Sequence, residues 1–142
     1  MDEINVPTLM FVAYRSIENR VLAAVLGAGY QVTLAQARIV QRIGPHGNRL
    51  TALAEQAQVT KQTAGALVDQ LVAAGYVERR PDPTDARARL VCMSDLGERV
   101  SAVAAAELDR AQAEWADHLG AREWAALHRS LTRLREITDP YA

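Results

Sequence analysis

The sequence predicts a mainly α-helical fold with one small β-hairpin, six helices in all and the hairpin between the fourth and fifth. Three observations carry that prediction. Ala and Leu dominate the 142 residues while aromatics make up 5%, a composition that favours helix over sheet. Apolar residues recur at helical spacing in six separate stretches. Between Gly75 and Gly97 the spacing changes, and two short strand-like runs flank a Pro81-Asp82-Pro83 break.

The elements follow in order. Leu9, Val12, Ile17, Val21, Ala24 and Val25 form the stripe of a first helix from Pro7 to about Leu26, with Pro7 in its first turn and Gly27 and Gly29 at its end. Thr33 caps a second helix, which carries Leu34, Ala37, Ile39, Val40 and Ile43 and closes before Gly44-Pro45. His46-Gly47-Asn48 reads as a turn, and Leu50, Leu53 and Ala54 as a short third helix. After a break at Gln58-Val59, Thr60 caps the fourth helix. Its buried face is Ala64, Leu67, Val68 and Leu71, and Lys61, Gln62, Gly65, Asp69 and Ala73 form the other face. Gly75 supplies a left-handed stop. Tyr76 and Val77 enter a strand ending at Arg79-Arg80, and Arg89 to Met93 is its return, with Asp-Pro-Thr-Asp-Ala-Arg at the tip. Ser94 caps a long fifth helix striped by Val100, Val103, Ala104, Leu108, Ala111, Trp115 and Leu119, and Gly120 breaks it. The sixth helix has a seam of Trp124, Leu127, Leu131, Leu134 and Ile137, a pattern that packs against other helices.

The third and fourth helices followed by a basic hairpin are the order of a helix-turn-helix with a wing, an apparatus for reading duplex DNA. Charge agrees. Residues 36–93 hold eight basic and five acidic side chains, whereas residues 94–142 hold six and nine, in a chain of net charge -1. The positive excess therefore lies on the predicted reader. Thr60, Lys61, Gln62 and Thr63 open the fourth helix. Gln62 can pair with adenine, Lys61 can reach guanine or a phosphate, and the helix N-terminus favours a phosphate. Arg79, Arg80, Arg87 and Arg89 sit on or beside the hairpin, where an arginine can enter a narrow minor groove. Asp85 is expected to shape the tip by pairing with Arg87 or a wing amide.

The segment GYVERRPDPTDARARLVCMSDLG resembles the wing of the MarR family, whose pattern is roughly G-x-V-x-R…D-x-x-D-x-R followed by a strand and a Ser- or Thr-capped helix. Gly75, Val77, Arg79, Asp82, Asp85, Arg87, Ser94 and Gly97 match in order. LAEQAQVTKQTAGALVDQLVAAG is similar to that family's helix-turn-helix. The resemblance implies a single winged-helix subunit, its DNA-binding lobe at 33–93 and its dimerisation helices at 1–30 and 94–142. It implies a homodimer that binds pseudo-palindromic operators as a repressor and releases double-stranded DNA when a small aromatic or phenolic effector enters between the lobes. Two positions depart from the family. Gly65 stands where Ser or Thr is common on the recognition helix, and Ala86 stands where a second wing arginine is common, with Arg89 placed to compensate. Tyr14, Arg15 and Arg38 are expected, by position alone, to line an effector pocket.

Other readings have less support. Cys92 is the one cysteine, so no intrachain disulfide forms and a cytoplasmic setting is expected. Its place on an alternating strand suggests a buried thiol. Asp2 and Glu3 occupy the N-terminus where a signal peptide would be basic, and no apolar run approaches a membrane span. Glu114 and His118 share a helix face, but with His46 and His128 they have no metal-ligand spacing, so no metal or cofactor is expected. No phosphate loop or nucleophile motif suggests an enzyme. The alternatives to an operator-binding regulator are a winged helix used for protein contact and a small-molecule-binding protein without operator function.

Overall fold

The computed structural model describes residues 3–140. Its elements are α1 (Val6–Gly27), α2 (Leu34–Val40), α3 (Leu50–Ala57), α4 (Lys61–Ala73), β1 (Val77–Asp82), β2 (Asp85–Met93), α5 (Asp95–Leu119) and α6 (Ala121–Thr138). The expected six helices and single antiparallel hairpin are present. The acidic Asp2 of the signal-peptide argument lies outside the described residues.

Side-chain caps set most helix starts. The Asn5 side chain accepts from the Thr8 amide, Thr60 from Thr63 and Ser94 from Gly97. Thr33 and Gln36 form a reciprocal capping box. Gly75 and Gly120 end α4 and α5 with φ of +83° and +86°, backbone that other L-residues adopt only with strain. α2 ends at Val40, earlier than its apolar pattern suggests, because the Arg42 and Ile43 amides bond to Ile39 and Val40, one residue nearer than in an α-helix. In the reading head, Gln58 caps α3 at φ 57°, and Val59 bonds back to Ala54. The direct turn into α4 follows from this left-handed residue.

One core joins the reading head to the ends of the chain. Ile39, Leu53, Ala64, Val68, Leu71, Val77 and Val91 are almost wholly buried, and Val25 from α1 and Val100 from α5 pack into the same cluster. Leu67, expected on the buried face of α4, is only partly buried beside it. Serine 94 ties the layers together: its hydroxyl accepts from the Gly97 amide and donates to the Gly75 carbonyl. α5 lies so close to the hairpin base that a Cβ on Gly97 would sit 2.1 Å from the Tyr76 carbonyl oxygen.

Two expectations about the hairpin are corrected. β1 continues through Pro81 to Asp82, and β2 begins at Asp85, so the tip is only Pro83-Thr84. Proline is tolerated because the register slips between Pro81 and Asp82, where no ladder amide is required. Arg87 therefore lies on β2 in the irregular stretch, not at the tip. The second correction is Asn48, expected in a simple turn. It exchanges backbone hydrogen bonds with Val91 at 3.1 and 2.8 Å, adding a one-residue bridge to the sheet.

Candidate functional site

At the N-terminus of α4, Lys61, Gln62 and Thr63 are exposed together with the cap Thr60. Thr60 Oγ1 accepts from the Thr63 amide at 3.1 Å and donates to Thr63 Oγ1 at 3.0 Å. That leaves the Thr63 hydroxyl proton free to donate outward. The free amides of the first turn point the same way. Gly65 is half-buried one turn on. A Cβ there would meet Leu50 of α3 at 3.7 Å, so this glycine looks toward the α3 side of the helix rather than only into open solvent.

The hairpin separates its arginines by their partners. Arg79 pairs with Asp69 of α4, and Arg80 with Glu78 beside it. Arg87 and Arg89 are exposed or nearly so, and neither forms an ion pair with a described residue. Lys61 on α4 is in the same position. Arg79 thus braces the strand against α4, while Arg87, Arg89 and Lys61 leave cationic groups directed at solvent.

The hairpin is held by Asp82 of the wing pattern and by Arg49, a partner that the sequence patterns do not single out. Asp82 is buried and accepts from the Thr84 amide at 2.8 Å, the Thr84 hydroxyl at 2.7 Å and Arg49 Nε at 3.0 Å. The Thr84 hydroxyl and amide, and then Arg49, hold its carboxyl below the usual carboxylate range. Arg49 sits at the N-cap of α3 and also reaches Asp85 at 3.6 Å. The Asp85 carboxylate accepts from the Arg87 amide at 3.0 Å. The two aspartates of the D-x-x-D spacing therefore clasp the wing tip to the reading head.

A cavity of about 540 Å³ opens between α1, α2, α5 and the base of the wing. Its walls include Tyr14, Val21, Val40, Tyr76, Val100 and Ala104. Of the residues expected there, Tyr14 is on the wall, but Arg15 and Arg38 are not. Both guanidiniums grip Glu18, which is 6% exposed and does line the cavity. Arg15 Nη1 donates to it at 2.6 Å, and Arg38 Nε and Nη2 at 3.0 and 3.1 Å. These bonds, that of Arg38 foremost, lower the Glu18 pKa from 4.5 to about 2 against the opposing effect of burial. Burial, and then the bond to Glu18, raise the Tyr14 hydroxyl above its ordinary value. The signal for Glu18 is present in the sequence: Tyr14, Glu18, Val21 and Val25 fall on one helix face, with an acid inside an apolar stripe.

Among the described residues no group of histidine, cysteine and carboxylate side chains has the arrangement of a metal site, and no helix is long and apolar enough to cross a membrane. Residues 30–88 match the MarR family. No curated protein sequence matches the chain. Among solved structures, CouR from Rhodococcus jostii RHA1, bound to p-coumaroyl-CoA, is similar with a TM-score of 0.76, 20% identity and coverage of 97% of this chain and 94% of that one. MarR from E. coli gives 0.74, 21%, 94% and 98%. The MarR family protein RV2887 of Mycobacterium tuberculosis, in complex with salicylic acid, gives 0.67, 24%, 94% and 98%. These last likenesses concern fold. Residues 30–88 are thus similar to the MarR family, and over nearly its whole length the chain has the winged-helix fold of these structures.

Proposed function

We propose that the chain is a homodimeric, sequence-specific DNA-binding transcriptional regulator that acts as a repressor in the cytoplasm, by binding rather than by catalysis. The observation that carries this reading is the grouping of unpaired cations on the two DNA-facing elements. Lys61 lies at the start of α4, and Arg87 and Arg89 lie on β2, while Asp69, Glu78, Asp82 and Asp85 of the same lobe are engaged by Arg79, Arg80 and Arg49. Thr60, Lys61, Gln62 and Thr63 would face the major groove, with Gly65 at its edge. Arg87, with Arg89, would enter the minor groove, and Arg79 would contribute by fixing the strand. With two heads on one dimer, half-site centres would lie about one DNA turn, 10–10.5 bp, apart.

The cavity supports the effector half of the reading. Its volume falls in the range of small-molecule sites, about 300–1,000 Å³, and its walls belong both to α1 and α5 and to the reading head. A ligand that favours one spacing of the heads shifts the population toward it and changes DNA affinity. CouR and RV2887 carry p-coumaroyl-CoA and salicylic acid in their structures, and the analogy with them supports the presence of an effector here, not its charge or class.

The test is selection of bound sites from random duplex DNA, followed by titration of the selected site at increasing salt. Binding should fall steeply with salt because phosphate contacts release counterions. Arg87→Ala should weaken binding about tenfold or more, with helix content and oligomeric state unchanged. Failure to bind any duplex at low salt would overturn the reading, and unchanged binding by Arg87→Ala would remove the wing from it.

A further inference from the structure

We propose that the cavity takes a hydrophobic ligand with a cationic, hydrogen-bond-donating head, an aryl-alkyl amine in chemical class, and discriminates against aromatic carboxylates. The inference rests on the reading of this cavity as the effector site and concerns what that site selects. It starts from the charges on the wall. Among the described residues, Glu18 and Glu98 line the cavity, and no lysine, arginine or histidine does. The rest of the wall is mostly apolar, with Val21, Val25, Val40, Val100 and Leu108 prominent.

The two carboxylates have different surroundings. Glu18 is buried, and its oxygens are taken by Arg15 and Arg38, which reach it from outside the lining. A carboxylate entering the cavity gains neither guanidinium unless it displaces Glu18, and displacement leaves a second acid unpaired in an apolar place. Glu98 is exposed at the first turn of α5 and forms no ion pair with a described residue. It is the wall group whose charge is open to a ligand. An ammonium group can pair with it, whereas a ligand carboxylate meets a like charge while losing its own hydration.

The polar wall atoms agree. The Tyr14 ring lies beside Glu18, whose charge helps to raise its hydroxyl above the ordinary value. The Tyr76 hydroxyl accepts from the Gln31 amide at 3.1 Å. Both rings line the cavity, and the face of an aromatic ring attracts a cation. Acceptors and π faces around an apolar chamber favour a donor-bearing cation, with a neutral alcohol next and an anion last.

The experiment uses the full chain and three ligands of one shape: naphthylethylamine, naphthylethanol and naphthylacetate. Calorimetric titration should give the amine at least about tenfold tighter than the acid, a difference of about 1.4 kcal/mol. Glu98→Gln, a change on an exposed helix turn, should reduce that ratio severalfold and leave the alcohol affinity unchanged. Acid binding as tight as the amine would overturn the assignment of ligand class while leaving the cavity an effector site. An unaltered ratio in Glu98→Gln would overturn it as well. No binding of any of the three would overturn both this inference and the effector reading beneath it, and DNA binding, measured separately, would stand or fall on its own.

Discussion

Two buried carboxylates show how single residues govern this protein. Glu18 has a folded-state pKa of about 2 against an ordinary 4.5. A lowered carboxylate pKa stabilises the fold above the unfolded value, so its contribution is fully present above about pH 4.5 and is lost as the pH falls toward 2. Glu18→Gln should therefore be less stable at pH 7 by about 1–3 kcal/mol, moderated because Arg15 and Arg38 are partly exposed and rehydrate. The gap between variant and parent should narrow through that acid window in denaturant titrations, and parallel curves would exclude the clamp as its cause. Asp82 acts on the wing instead. Asp82→Ala removes the acceptor of Thr84 and Arg49. Faster amide exchange in β1 and β2 and a loss of DNA affinity of about tenfold, from a less preorganised wing, are expected with the helices intact. Caps such as Thr60 and Ser94 were legible in the sequence because a cap is a local bond within three residues. The pairing of Arg49 with Asp82 and the clamp on Glu18 were not, since Arg49 to Asp82 and Glu18 to Arg38 span 33 and 20 residues.

At the scale of elements, helices were more legible than the hairpin. A helix of three turns repeats its apolar signal several times, so α4 and α5 could be placed closely. The hairpin's extent depends on long-range pairing: Pro81 looked like a break, yet the ladder continues to Asp82, and the Asn48 bridge has no periodic signal at all. Gly97 and Gly65 test how tightly these elements pack. Gly97→Ala places a methyl 2.1 Å from the Tyr76 carbonyl, forcing α5 away from the hairpin base, and should destabilise by about 1–3 kcal/mol or more. Gly65→Ala meets only Leu50 at 3.7 Å, an ordinary contact, and should stabilise α4 by about 0.5–1 kcal/mol. Chemical denaturation of both variants checks the pair. If Gly65→Ala also retains DNA binding, the groove does not require a bare backbone at that position.

The whole molecule leaves two apolar surfaces uncovered. α6 has no buried residue, and Leu127, Leu131 and Leu134 on its seam stay near 40% exposed, with Ile137 at 84%. At the other end of the chain, Leu9, Met10, Phe11 and Val12 of α1 are exposed as well. α1 is tied to α5 by Arg20 with Glu107 and Glu114 and to the core by Val25, whereas α6 contributes no residue to the core cluster. Contiguous exposed apolar faces of this kind mark an interaction surface, and a second copy supplies matching faces by two-fold symmetry. Dimerisation would also fix the separation of the two reading heads, which a monomer cannot do. Sedimentation equilibrium of the parent at micromolar concentration should give twice the chain mass. Leu127→Glu with Leu131→Glu places charges on the seam without altering a buried position, so it should shift the equilibrium to monomer while the reading head stays folded. Binding to the selected site should then fall by about 100-fold or more, because the second half-site contact is no longer tethered to the first, while affinity for a single half-site stays near the parent value. A parent chain that sediments as a folded monomer, or a double variant that keeps full affinity for the paired site, would mean that these faces serve some other contact.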